Sequence, residues 1–154
     1  MRAPDGTITP FEPEGSGTGP GQGTVSCTRD CINPAGAISA SYLDGSNVNH
    51  AFVRAPDGTI ITYNVPGAGT GPFQGPYNYG INPAWTTVGA YIDSSGVGHG
   101  YVRTREGSIT TFNASGAGTL AGQGTFGAAI NAPGDVAGYY TDADNVIHGF
   151  LWKP

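Results

Sequence analysis

One spacing governs what this chain can fold into. Asn33, Asn82 and Asn131 stand 49 residues apart, and His50, His99 and His148 repeat the same interval. From Gln22 to Gln74 the interval is 52, so the first unit carries three additional residues, which fall around Cys27 and Cys31. Three segments therefore superpose: "GQGTVSCTRDCINPAGAISASYLDGSNVNHAFVRAPDGTIITYN", "FQGPYNYGINPAWTTVGAYIDSSGVGHGYVRTREGSITTFN" and "GQGTFGAAINAPGDVAGYYTDADNVIHGFLW". A fixed period of this size is the signature of a repeat architecture.

Inside each unit the apolar pattern has period two, the signature of strands. "ISASYLD", "TTVGAYID" and "DVAGYYTD" lead through "DGSNV", "DSSGV" and "DADNV" into "HAFVR", "HGYVR" and "HGFLW". The Asn or Gly in each connection suits the left-handed residue of a tight hairpin turn. A further turn, "APDGT" or "TREGS", leads to "TIITYN" or "SITTFN", and a shorter strand around "TVSC", "YNYG" or "TFGA" precedes each unit's Ile-Asn turn. Four strands per unit, joined as a meander, predict an all-β protein of three β-propeller blades. The chain is then a single repeat domain over 1–154, in which strand 1–11 completes the blade of the C-terminal segment 125–154 and closes the ring. Three blades are fewer than the usual four to eight, so six blades completed by a homodimer are expected. A β-trefoil, closed as a monomer with a similar strand count, is the alternative.

The units resemble a known repeat. "INPAGAISASYLDGSNVNHAFV" is similar to the extracellular repeat named for its His-Ala-Phe triplet, here His50-Ala51-Phe52. The resemblance covers nearly the whole chain as three copies, and Gly100 and Gly149 replace the alanine in the second and third. It implies a β-propeller-like fold and secretion from bacteria, and little about chemistry. A signal peptide is absent from this chain, consistent with a leader trimmed away.

Composition excludes several partners. Six Lys plus Arg against 11 Asp plus Glu give a net charge of −5, so a nucleic-acid backbone would be repelled. No apolar run reaches the roughly 20 residues that span a bilayer. The two cysteines, Cys27 and Cys31, are spaced to bridge within one bent segment, and no second Cys pair completes a zinc set. No cofactor or metal is implied.

Residues present in every repeat are poor candidates for a unique site. Asp44, Asp93 and Asp142 each precede a histidine by six residues. Such a pair can serve as general-base machinery, but threefold repetition favours a hydrogen bond that pins each hairpin. What departs from the repeat is more informative. Glu12, Glu14 and Asp30 cluster in the first unit and are the acid–base candidates of a glycoside hydrolase. Phe73, Tyr77, Tyr79 and Trp85 make the second unit aromatic, and with Asn78 and Arg29 they form the candidate ligand-binding set, with a core or subunit-interface role as the competing reading. Aromatic faces beside polar groups suit sugar rings. The expected function is an extracellular carbohydrate-binding module, the alternative a glycoside hydrolase, and a third reading a surface repeat without any pocket.

Overall fold

The computed structural model describes residues 6–25 and 30–154, and it is all-β. The first unit contributes β1 (Gly23–Val25), β2 (Ile38–Leu43), β3 (Asn49–Arg54) and β4 (Ile60–Tyr63), paired in that order as a four-stranded antiparallel sheet. The second contributes β5 (Gly75–Ile81), β6 (Thr87–Ile92), β7 (Gly98–Arg103) and β8 (Ile109–Phe112). The third contributes β9 (Gly124–Ile130), β10 (Val136–Thr141) and β11 (Ile147–Trp152). The expected four-strand meander is thus present in the first two units, and three of its strands in the third.

Separate propeller blades are not formed. β5 to β11 merge into one curled, mixed seven-strand sheet, a half-barrel, because β7 and β9 pair in parallel at Gly98 and Gly124. Both positions must be glycine: Gly124 has φ +117°, and a Cβ there would collide with the Gly98 backbone. The trefoil alternative is not realised either, since the described strands divide between two sheets. Of segment 1–11, Phe11 is placed by its contacts with the first unit. Phe11 packs edge-on against Phe52 of the first unit, with ring centroids 6.2 Å apart, and Arg54 lies over its face at 4.9 Å. Residues 1–5 fall outside the described residues.

Each β2–β3-type hairpin is held by the residues its sequence repeats. Asp44 accepts from the Ser46 and Val48 amides at 2.8 and 2.9 Å, and Asn47 takes the left-handed turn position with φ 63°. His50 Nε2 lies 3.1 Å from Asp44 Oδ2, and the imidazole stacks on Tyr42. The same set recurs as Asp93, His99 and Tyr91, and as Asp142, His148 and Tyr140. Partial burial pushes the Asp44 and Asp93 carboxyls up, but hydrogen bonds from the histidine and two turn amides outweigh it and hold both below their ordinary values. At Asp142 the His148 bond leads, with the same net direction. Each histidine is committed to its own hairpin. Among the described residues no group of three metal-ligating side chains assembles.

Ala40, Tyr42 and Phe52 form a core within the first unit, and the rest of the core lies between units. Ala37 and Val53 of the first unit enclose Ile81 of the second, while Val88 and Val102 of the second receive Ile130 and Val136 of the third. The last strand of one unit also covers the next. Tyr63 meets Tyr101 edge-on at 6.5 Å, and Phe112 meets Phe150 likewise at 5.9 Å.

Candidate ligand-binding groove

Because units stack through their cores, the turns at one end of the strands leave a groove at each junction. The first groove, about 430 Å³, has a floor of Val53 and Ile61 and a rim of Pro56 and Asp57 from unit one, with Trp85, Arg103 and Arg105 from unit two. The second, about 440 Å³, is its equivalent one repeat on: Val102 and Thr110 at the floor, Thr104, Gly134, Trp152 and Pro154 around it. Both volumes suit a small ligand.

The grooves differ in chemistry at matched positions. Trp85 occupies the place of Gly36 in unit one and Gly134 in unit three, and all three residues are left-handed, with φ of 66°, 83° and 102°. For glycine that conformation is free, whereas for a tryptophan it costs about 1–2 kcal/mol. Arg105 likewise replaces the proline found at Pro56 and Pro154. In the sibling units the glycine faces that proline, and a Cβ on Gly36 or Gly134 would lie 3.8 or 3.7 Å from the proline Cγ. In unit two the paired departures touch instead, with the Arg105 guanidinium 4.6 Å above the Trp85 ring. Trp85 is half-buried against the Ala37, Val53 and Ile81 cluster.

The groove's polar groups are Arg103, Asp57 and Arg105. Arg103 is buried over Tyr63 at 4.5 Å and donates to the Thr104 carbonyl. Hydrogen bonds from the Thr59 amide and hydroxyl hold the Asp57 carboxyl below its ordinary value, so at neutral pH it is an exposed, fixed acceptor. The groove therefore presents an indole, an exposed guanidinium and a carboxylate around an apolar floor.

The other aromatic candidates do not converge on Trp85. Phe73 precedes β5 and Trp85 follows it, so the strand's seven residues set them roughly 20 Å apart. Phe73 is 62% exposed and also left-handed, φ 61°, where Gly21 and Gly122 stand in the siblings. The Tyr77 hydroxyl donates to the Phe73 carbonyl at 2.8 Å. Burial, reinforced by the neighbouring Tyr139 and Tyr77 hydroxyls, pushes the Tyr79 phenol up to about 12, so it remains a neutral hydroxyl.

Asn78 serves the interior. Its Oδ1 accepts from the Tyr63 and Tyr101 hydroxyls, and its Nδ2 donates to the Ala40 and Phe52 carbonyls at 3.1 Å. Every hydrogen-bonding capacity of the amide is spent, and none faces a ligand. Arg29 and Cys27 lie outside the described residues, and so does the expected bridge to Cys31, which is itself buried.

The three acid–base candidates of the first unit, Glu12, Glu14 and Asp30, line neither groove. Glu12 is exposed and accepts from the Thr24 amide and hydroxyl at 3.2 and 2.7 Å. Asp30 is exposed, and its carbonyl accepts from the Ile81 amide at 3.1 Å. Glu14 is exposed in a turn.

Sequence reasoning named Trp85 but missed Arg105, Asp57 and Arg103 as its companions. The signal was present: Arg105 is the only departure from proline at that repeat position among Pro4, Pro56 and Pro154. No protein-family model matches the chain, and no curated protein or solved structure is significantly similar to it.

Proposed function

We propose that this chain is an extracellular ligand-binding repeat module and that its ligand is carbohydrate, held in the groove at the first junction. The observation that carries this reading is Trp85: a tryptophan at a left-handed turn position where both sibling repeats place glycine. Strain of that kind persists where the side chain contributes something else, and it concentrates at binding and active sites. A sugar ring suits the surroundings, with its CH face against the indole and its hydroxyls toward Asp57 and Arg105. The extracellular assignment rests on the likeness to the His-Ala-Phe repeat. Binding without turnover is preferred because none of Glu12, Glu14 and Asp30 lines this groove, and no cofactor enters the proposal.

A glycan array probed with the wild-type chain and with Trp85→Gly tests the proposal. The expected result is a saccharide retained by wild type and lost by the variant. Retention by neither, or equally by both, removes the groove from consideration.

A further inference from the structure

The units meet in one direction only, each presenting a tail face to the head of the next, and the same contacts are made twice. At both junctions an isoleucine of the later unit plugs into the earlier one: Ile81 against Ala37 and Val53, Ile130 against Val88 and Val102. An asparagine ladder runs alongside. Asn33 Nδ2 donates to the Asn82 carbonyl and Asn82 Nδ2 to the Asn131 carbonyl, each at 3.1 Å. A backbone bond closes each junction, from the Asn49 amide to the Gln74 carbonyl and from the Gly98 amide to the Gln123 carbonyl, both at 2.8 Å.

The same series has two ends. At the head, Ile32 is the counterpart of Ile81 and Ile130, and it is 54% exposed where Ile81 is 5%. At the tail, Leu151 is the counterpart of Val53 and Val102, and it is 64% exposed where they are 5% and 8%. Val146 and Ile147 at the start of β11 are exposed as well, although Val48 and Val97 are buried. The ladder stops in the same way: Asn131 Nδ2 turns to Asp135 Oδ2 at 3.0 Å, while the Asn33 carbonyl accepts the Gly36 amide, as Asn82 and Asn131 do within their own turns. A carbonyl has room for a second donor.

We infer that the occupant of the tail face is the head of a second copy of this chain, which stacks as a further unit of the same array. Ile32 of one copy then seats on Leu151 of the other, Asn131 Nδ2 donates to the Asn33 carbonyl across the contact, and the Ile147 amide faces the Gln22 carbonyl. Both surfaces are on one chain and each matches a partner already seen inside the molecule, so the contact is heterologous. It produces rings if the rotation closes and filaments if it does not. This assembly is independent of the groove, which each chain carries complete.

Light scattering after size exclusion, on the 154-residue chain and on Ile32→Arg and Leu151→Arg, decides it. Both substitutions change exposed side chains, so near-native circular dichroism is expected. Wild type is expected to assemble with rising concentration, and each variant alone to remain at one chain mass. Mixed in equal amounts, the two variants are expected to form a species of two chain masses and nothing larger, because each retains one good end. A wild type that stays monomeric at high concentration, variants that still assemble, or a mixture that remains monomeric would each overturn the inference.

Discussion

The two junctions between units share a backbone and have opposite interiors. At the first, Asn78, Tyr63, Tyr101 and Thr87 form a closed buried hydrogen-bonded set, with the Tyr63 hydroxyl 2.7 Å from Asn78 Oδ1 and 3.0 Å from Thr87 Oγ1. At the second, the matching residues are Gly127, Phe112, Phe150 and Val136. All four polar members have given way together. A buried network with one partner missing leaves costly orphans, whereas an apolar replacement of the whole set leaves none. The comparison teaches that a repeat junction switches chemistry as a block, and the Trp85–Arg105 pair at the rim of the polar junction obeys the same rule.

The largest effect is expected from breaking the block at one member. Asn78→Gly strands the Tyr101 hydroxyl, leaves Tyr63 with Thr87 alone and removes the two Nδ2 donations to Ala40 and Phe52, so at roughly 1–3 kcal/mol per lost partner the loss should be about 3 kcal/mol or more by chemical denaturation. Adding Tyr63→Phe, Tyr101→Phe and Thr87→Val grafts the second junction's set onto the first and should recover most of that loss. A quadruple variant less stable than Asn78→Gly alone would break the comparison. The reverse change is expected to be somewhat milder. In Gly127→Asn the Cβ would sit 2.9 Å from Val88 Cγ2 and 3.1 Å from the Gly89 carbonyl, an overpacking cost of about 1–3 kcal/mol.

These contrasts also mark how far the sequence alone could be read. The period of 49, the strands and the hairpin turns were legible because turn chemistry and period two are local. So was the role of the Asp–His pairs, since a threefold feature is scaffold. The sheet assignment was not, because the merger of units two and three depends on one parallel pair, Gly98 with Gly124, and two glycines carry no pattern. Asn78 misled for a related reason: beside Tyr77 and Tyr79 it reads as a polar group on an aromatic face, but its alternation on β5 turns it inward. Trp85 was visible as a departure from the repeat, while its strain and its contact with Arg105 required the turn geometry.

At the rim the comparison predicts a separation of binding from stability. Trp85→Gly should change unfolding free energy by no more than about 1 kcal/mol, because relief of the left-handed backbone offsets lost packing. Urea denaturation checks this, and a loss of several kcal/mol would assign Trp85 to the core instead.

The smallest effect concerns the hairpins that both junctions share. Asp44, Asp93 and Asp142 are held below their ordinary values, so they stabilise the fold above the unfolded carboxyl value of about 3.9. That contribution is lost as pH falls through the lower folded values. The denaturation midpoint should therefore drop below pH 4 and change less in Asp93→Asn. An acid limb unaltered in that variant would assign the loss to other groups.

The central claim is that the first groove holds a sugar through Trp85 and Arg105 acting together. Calorimetric titration of the saccharide selected by the array into wild type, Trp85→Gly, Arg105→Pro and the double variant tests it most directly. The account predicts at least tenfold weaker binding in each single variant and little further loss in the double, since the two side chains form one surface. Affinity unchanged in Trp85→Gly would contradict it.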